Sequence, residues 1–378
     1  MRLVFVALGV YGAMGGMEQF NRRVLRCLSE LGRPLRLDAS VIALRDDRPP
    51  SGQLPERLRF SGCSRGKVRA VAAFCREVFL SRPDVILYGH ILVAPLAAVA
   101  RFLSPRSRHV LCVHGREAWR EPFRDRIPVR ERLGARLMDR IVSVSRFTAQ
   151  KMTVAYGLPE DLFRVLPNAV DVSRGSLEIP LEATPRNGEF RLLSVARLDD
   201  GARHKGCDSV IRALAILRRS RKEVHYYIAG GGPLREQFER LAAELGVASS
   251  VHFLGYLDDR QLEQTYRSAH AFALPSTGEG FGIVFLEAWK HRLPVVAGNV
   301  DASSEVVTHG VNGICVDPRS PEKIAGAIET LVKDPETATR MGLAGHRTVT
   351  LQYTHEHFRR RLAEILRECL RRPIEAAT

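Results

Sequence analysis

Residues 271–287 read AFALPSTGEGFGIVFLE, and this stretch decides the fold. Ala271 to Leu274 is a short apolar run of strand length, and the segment from Glu279 to Glu287 then opens a helix. A buried strand that runs through a glycine-rich turn into a helix is the repeating unit of parallel sheets covered by helices. Gly280 and Gly282 let the backbone come close to a ligand, and the free N–H groups at the helix start favour anionic oxygens, so a diphosphate fits this turn. Glu287 lies eight positions beyond Glu279. Were all of it helical, that would be about 12 Å of rise and roughly 80° of rotation, too far apart for an acid/base pair. The two carboxylates suit two separated hydroxyl groups instead, one on a sugar and one on a ribose. A helix-capping Glu279 with a solvent-facing Glu287 is the structural alternative.

The same unit recurs on both sides of this stretch. Before it, strands are expected at Leu192 to Ala196, His225 to Ala229 and Val251 to Leu254, and after it at Pro294 to Ala297. An earlier series comprises Leu3 to Leu8, Leu37 to Leu44, Val85 to Tyr88, Val110 to Val113, Ile141 to Val144 and Phe163 to Leu166, with helical patterns between them. The chain is therefore α/β, with two doubly wound domains, as its 378 residues also suggest. Pro167 to Glu189 is broken by Pro, Gly, Asn and Ser and reads as the linker. Domain boundaries are expected at 1–170 and 190–354, with a last helix at about 355–372 free to pack back. Gly52 to Gly66 reads as a loop within the first domain.

Further candidates sit at other strand ends. Arg197 follows the strand 192–196, and His204-Lys205-Gly206 precedes the next helix. An arginine fork and a lysine point charge together offset the two negative charges of a diphosphate leaving group, which would replace a metal. In keeping with this the chain has no Asp-x-Asp triplet, and no metal is expected. The loop from Gly9 to Glu18, with Gly15 and Gly16, ends the first strand without the G-x-G-x-x-G spacing of dinucleotide sites or a clear acidic residue ending the second strand. Gly230-Gly231-Gly232 is a similar turn. His114, before Gly115 at the end of the strand 110–113, could bond a sugar or steer a proton, while His90, His109 and His270 read as structural.

Charge is distributed unevenly. Of the net +15, residues 1–180 hold 30 Lys and Arg against 17 Asp and Glu, whereas 181–378 hold 27 against 25. A basic half can meet nucleic acid, an acidic substrate or an anionic membrane, and charge alone does not choose among them. The seven cysteines are scattered without metal spacing, which suits a reducing cytoplasm. The apolar run 91–103 is too short for a bilayer span of about 20 residues.

Taken together, these residues resemble the family four glycosyltransferases of the GT-B fold, over nearly the whole chain. The marks are Glu279 and Glu287 as an E-x7-E motif, Arg197 with Lys205, Gly15-Gly16, His114, and Pro167-Asn168-Ala169-Val170-Asp171. The resemblance implies two Rossmann-like domains with a cleft between them, the first binding acceptor and the second donor. It implies a retaining hexosyl transfer from a UDP- or GDP-linked sugar to a glycan or lipid-linked glycan in polysaccharide biosynthesis, with no cofactor beyond the nucleotide sugar. Glu279 and His114 would touch the sugar and Glu287 the ribose. Arg197, Lys205 and the amides of Gly280, Phe281, Gly282 and Ile283 would hold the phosphates, with Gly15 and Gly16 closing over them and Leu257 near the base. Two segments depart from the common pattern: the long loop between Arg197 and Lys205, and Gly298 to Glu305 in place of Gly-Gly-x-Pro-Glu. Because the first domain would meet the acceptor, the arginines from Arg116 to Arg136 point to an anionic inner membrane face as a further partner, and nucleic acid is not expected. A sugar-nucleotide 2-epimerase of the same fold, a nicotinamide dehydrogenase and a non-catalytic basic binding protein are the rival classes; turnover of donor without acceptor would mark the epimerase.

Overall fold

The computed structural model describes residues 1–12, 15–50, 52–115, 117, 126–172, 189–218 and 223–371. Arg116, Arg120, Arg124 and most of the expected linker lie outside the described residues. The chain divides into two compact units, Met1–Asn168 with the C-terminal segment from His355, and Ala169–Thr354.

The first unit holds a seven-stranded parallel sheet of order β3-β2-β1-β4-β5-β6-β7. Its strands are β1 (Arg2–Ala7), β2 (Asp38–Ala43), β3 (Leu58–Gly62), β4 (Val85–Tyr88), β5 (Arg108–Val113), β6 (Arg140–Ser143) and β7 (Phe163–Val165). The helices are α1 (Gly16–Glu30), α2 (Lys67–Ser81), α3 (Leu96–Leu103), α4 (Val129–Arg136) and α5 (Arg146–Tyr156). Central strands such as β4 are apolar and buried on both faces, as expected for parallel strands between helix layers. β3 corrects the expected loop at Gly52 to Gly66. It pairs in parallel with β2 at the sheet edge, and only Leu58 of its five residues is buried, so its sequence carries too little apolar signal to read as a strand. The last helix of the chain belongs to this unit, where Phe358 packs edge-on against Phe20 of α1 with ring centroids 5.3 Å apart.

The second unit has a six-stranded parallel sheet of order β10-β9-β8-β11-β12-β13. Its strands are β8 (Phe190–Val195), β9 (Val224–Ala229), β10 (Val251–Gly255), β11 (Ala271–Leu274), β12 (Val295–Gly298) and β13 (Gly313–Val316). The connecting helices are α6 (Cys207–Leu217), α7 (Leu234–Glu244), α8 (Asp259–Ser268), α9 (Ile283–Lys290), α10 (Ser303–Val306), α11 (Pro321–Lys333) and α12 (Pro335–Gln352); α13 (His355–Arg371) is the terminal helix described above. β13 was not expected. It is four residues long, starts at a glycine and lies at the sheet edge.

Packing fixes the helix that the opening stretch leads into. Phe285, Leu286 and Trp289 of α9 are fully buried, each worth about 1.5–3 kcal/mol or more of burial. Phe285 meets Phe272 of β11 edge-on, and Trp289 Nε1 donates to the Asn312 carbonyl at 2.9 Å. The helix begins at Ile283, not at Glu279, because Gly282 adopts a left-handed conformation (φ 88°) at its N-cap. Glu279 therefore sits in the turn, free of helical geometry.

Candidate active site

In each sheet the connections run outward in opposite directions from two central strands, and at such a switch point the loops at the strand C-terminal ends diverge and leave a crevice. In the second unit those strands are β8 and β11, paired through Ala271↔Leu192 and Phe272↔Leu193. The loops that leave them carry Arg197 and Lys205 on one side and Glu279 to Gly282 on the other. Beneath the crevice the Ser194 hydroxyl donates to the Ala273 carbonyl and shares a 2.7 Å bond with the Tyr226 hydroxyl, tying β8, β9 and β11 together. Burial foremost pushes the Tyr226 phenol well above its ordinary range, so it stays neutral.

Glycines allow the loops to close on each other. Gly206 has φ 77°, and a Cβ there would lie 2.2 Å from the Pro275 carbonyl oxygen. That contact brings the end of the 3-10 turn at Asp200–Lys205 against the end of β11, where the Thr277 N–H donates to the His204 carbonyl at 2.8 Å. Lys205 Nζ thereby donates to Glu279 Oε1, across 74 positions of sequence. The Glu279 side chain is 10% exposed and that of Lys205 25%, so the pair is largely withdrawn from water and its Coulomb attraction is little screened.

A third group, which sequence reasoning missed, completes this cluster. Asp301 is buried, and its Oδ2 accepts the Glu279 N–H at 2.7 Å and the Ser276 hydroxyl at 2.9 Å, while Oδ1 accepts the Ser303 N–H at 2.9 Å. Burial first, and then the Glu279 carboxylate, raise the Asp301 carboxyl to about 6. Its segment stood out in the sequence only as a departure from a familiar turn.

Arg197 stands at the same sheet edge, where its side chain is 56% exposed and lies 3.5 Å from Asp199. The neighbouring Gly230 is required because a Cβ would sit 1.9 Å from the Ala196 carbonyl oxygen. Glu287, on α9, accepts the Tyr266 hydroxyl at 3.1 Å and is half-buried. Gly280, Phe281, Gly282 and Ile283 form the turn and helix start as a continuous segment, with Phe281 buried against Tyr353. Leu257 is half-buried just before α8, whose N-cap Asp258 forms a capping box with Gln261. Among the described residues no group of three or more His, Cys, Asp and Glu side chains is arranged to hold a metal ion.

The remaining candidates lie in the first unit. His114 follows β5; its Nε2 donates to the Gly89 carbonyl at 2.9 Å, its ring meets Phe20 edge-on, and its N–H donates to Glu117 at 2.5 Å. Gly15 caps α1 with extended backbone and Gly16 begins that helix. The amides of the preceding turn are already engaged, because the buried Asp46 carboxylate accepts from Val10 (2.7 Å), Tyr11 (3.2 Å) and Gly12 (2.6 Å). This aspartate, three residues past β2, was also missed: only the fold shows that those N–H groups converge on it. His109 is structural, as expected, sharing a 2.9 Å bond with the Tyr88 hydroxyl and held down to about 4 chiefly by burial.

Two open parallel sheets, the second with a cation and a carboxylate clasped at its switch point, place the chain among the doubly wound α/β proteins, which take their ligands in that crevice. Residues 14–174 match the family model described as Glycosyltransferase Family 4, and residues 178–348 match Glycosyl transferases group 1. The GDP-mannose-dependent alpha-(1-6)-phosphatidylinositol monomannoside mannosyltransferase of Mycobacterium tuberculosis is 34% identical over 72% of this chain and 74% of its own. A GDP-mannose-dependent mannosyltransferase of Corynebacterium glutamicum acting on the monoacylated form is 28% identical over 75% and 76% of the two chains. Anabaena HepE, solved in complex with UDP and glucose, shares the fold with a TM-score of 0.74 at 22% identity, over 97% of this chain and 99% of that one. The chain belongs to the family 4 glycosyltransferases, has the GT-B fold, and is a nucleotide-sugar glycosyltransferase of glycan biosynthesis.

Proposed function

We propose that the protein transfers a hexose from a GDP-linked donor to a lipid-linked glycan with retention of configuration and without a metal ion. The observation that carries this is the Lys205–Glu279 pair beside the glycine-rich turn that leads into α9. On donor binding Lys205 turns to the leaving diphosphate, which lies toward the N-terminus of α9, and the Glu279 carboxylate is released to the sugar. The acceptor oxygen bonds to the anomeric carbon on the face from which the phosphate oxygen departs, and the acceptor proton passes to that oxygen. Lys205 supplies the compensating charge that a divalent ion provides elsewhere. Similarity to GDP-mannose-dependent enzymes supports guanine over uracil; a UDP-linked donor is the competing choice.

A thermal-shift series with GDP, UDP and their hexose conjugates tests the donor. GDP at 100 times its dissociation constant is expected to stabilise by about 2.7 kcal/mol, and a shift with UDP alone overturns the choice of base. Product anomers read by NMR, with turnover measured in excess chelator, check retention and metal independence, and consumption of donor without acceptor would favour the epimerase.

The same proposal places the first unit on an anionic membrane surface. α2 packs on α3 and α3 on α4, and their outer faces carry Val68 (84% exposed), Phe102 (86%) and Val129 (72%). Lys67, Arg69, Arg76, Arg130 and Arg136 are exposed on the same helices. Their two acids are engaged or hidden: Glu77 lies 3.6 Å from Arg59 and Glu131 is buried. Apolar groups flanked by cations suit a headgroup layer, at about 1 kcal/mol per cation near an anionic surface. No described helix is long and apolar enough to cross a membrane. Vesicles with anionic lipid should pull the protein down at low salt and neutral vesicles should not; equal recovery from both refutes this placement.

A further inference from the structure

We infer that Asp301 is a positioning residue for catalysis, its ionised carboxylate holding Glu279 in the orientation that meets the donor sugar. This inference rests on the role proposed above for Glu279. The clamp has two layers. Asp301 grips the turn through the Glu279 N–H and the Ser276 hydroxyl, and the Ser276 oxygen in turn accepts the Gly278 N–H at 3.0 Å. The next residue, Ala302, donates its N–H to the Glu279 carbonyl at 3.3 Å. Glu279 is thus held at both its N–H and its C=O by two successive residues of one turn. That turn is pressed close by Gly298, where a Cβ would lie 2.1 Å from the Ser276 carbonyl oxygen. Asp301 is itself fixed at its far oxygen by the Ser303 N–H at the start of α10.

Every Asp301 oxygen faces at least one N–H donor, so a proton on either oxygen sets donor against donor and loosens the grip. Both the burial and the charges around it make that proton accessible. The titratable groups facing Asp301 among the described residues are Glu279, itself bonded to Lys205, and the Cys315 thiol of β13, which burial and Asp301 push up to about 11 and so keep neutral. With one carboxylate beside it and no cation in direct contact among the described hydrogen bonds, Asp301 protonates at about 6, well above an ordinary aspartate. Turnover is then expected to fall on acidification through that range while the fold persists.

The test is the pH dependence of kcat at saturating donor for the wild type, Asp301→Asn and Glu279→Gln, each checked for folding by thermal denaturation. The asparagine is nearly isosteric but presents an NH2 group to one of the backbone donors. It is expected to lower plateau kcat on the order of 10²-fold, as a misplacement of about 1 Å at a reacting centre does, and to remove the acid limb near pH 6. If Asp301→Asn is unfolded, the wild-type profile and Ser276→Ala decide instead: Ser276→Ala removes one donor to Asp301 and is expected to shift the acid limb. A folded Asp301→Asn with wild-type kcat and an unchanged acid limb, or a wild-type profile with no limb near pH 6, overturns the inference. Full turnover in Glu279→Gln would sink the site assignment itself, an outcome that Asp301→Asn does not produce.

Discussion

Lys205→Met is expected to lower kcat by about 10²- to 10³-fold, the cost of removing one group that stabilises developing charge in a transition state. Methionine keeps the apolar stem but offers no donor to the Glu279 carboxylate, so the damage is electrostatic, not steric. Two losses combine. In the proposed mechanism the departing diphosphate loses its ammonium partner, and the Glu279 carboxyl group, only 8% exposed, loses the cation that faces it. The second loss costs stability as well, about 1–3 kcal/mol, below the full penalty for a buried pair because the Lys205 side chain retains 25% exposure. Lys205→Arg keeps the charge with a different geometry and should recover part of the rate. Steady-state kinetics at saturating donor check this, and a wild-type kcat in Lys205→Met removes the lysine from the transition state.

Gly206→Ala is expected to destabilise by about 2–5 kcal/mol, the sum of a left-handed backbone carrying a side chain and a forced contact in a packed region. The φ of 77° is unfavourable for alanine, and its Cβ would lie 2.2 Å from the Pro275 carbonyl oxygen, a backbone atom that cannot swing aside. Gly157→Ala is the control. Its φ of 65° imposes similar strain, but nothing lies within 4 Å of the added Cβ. It should cost only about 1 kcal/mol. For domains of this size 1 kcal/mol is about 2–4 °C in Tm, so scanning calorimetry resolves the two variants. Equal shifts would mean that the approach of the 205–206 turn to β11 carries no energetic weight. Any Gly206→Ala protein that does fold should also lose turnover, since relief of the clash moves Lys205 away from Glu279.

The alternation of apolar strand runs with helical patterns was legible residue by residue, because the periods that mark strands and helices are local properties of the backbone. It placed eleven of the thirteen strands among the described residues within a residue or two. The two it missed, Leu58–Gly62 and Gly313–Val316, lie at sheet edges, where a strand is half solvated and its apolar pattern fades. Glycines beside strand ends also pointed to the right turns, since Gly206 and Gly230 are needed only where two backbones nearly touch.

What the chain alone determined is therefore its class, two helix-covered parallel sheets with polar and glycine-rich turns at strand ends, and a set of candidate cations and carboxylates at the ends of the second sheet's strands. Only the tertiary structure decided which of them meet. Strand order puts β8 beside β11 and so joins Lys205 to Glu279, leaves Arg197 paired with Asp199, and buries Asp301 and Asp46 under backbone amides. A buried carboxylate is recognised by the N–H groups that converge on it. Those groups come from segments distant in sequence, so their convergence does not exist until the sheets have formed.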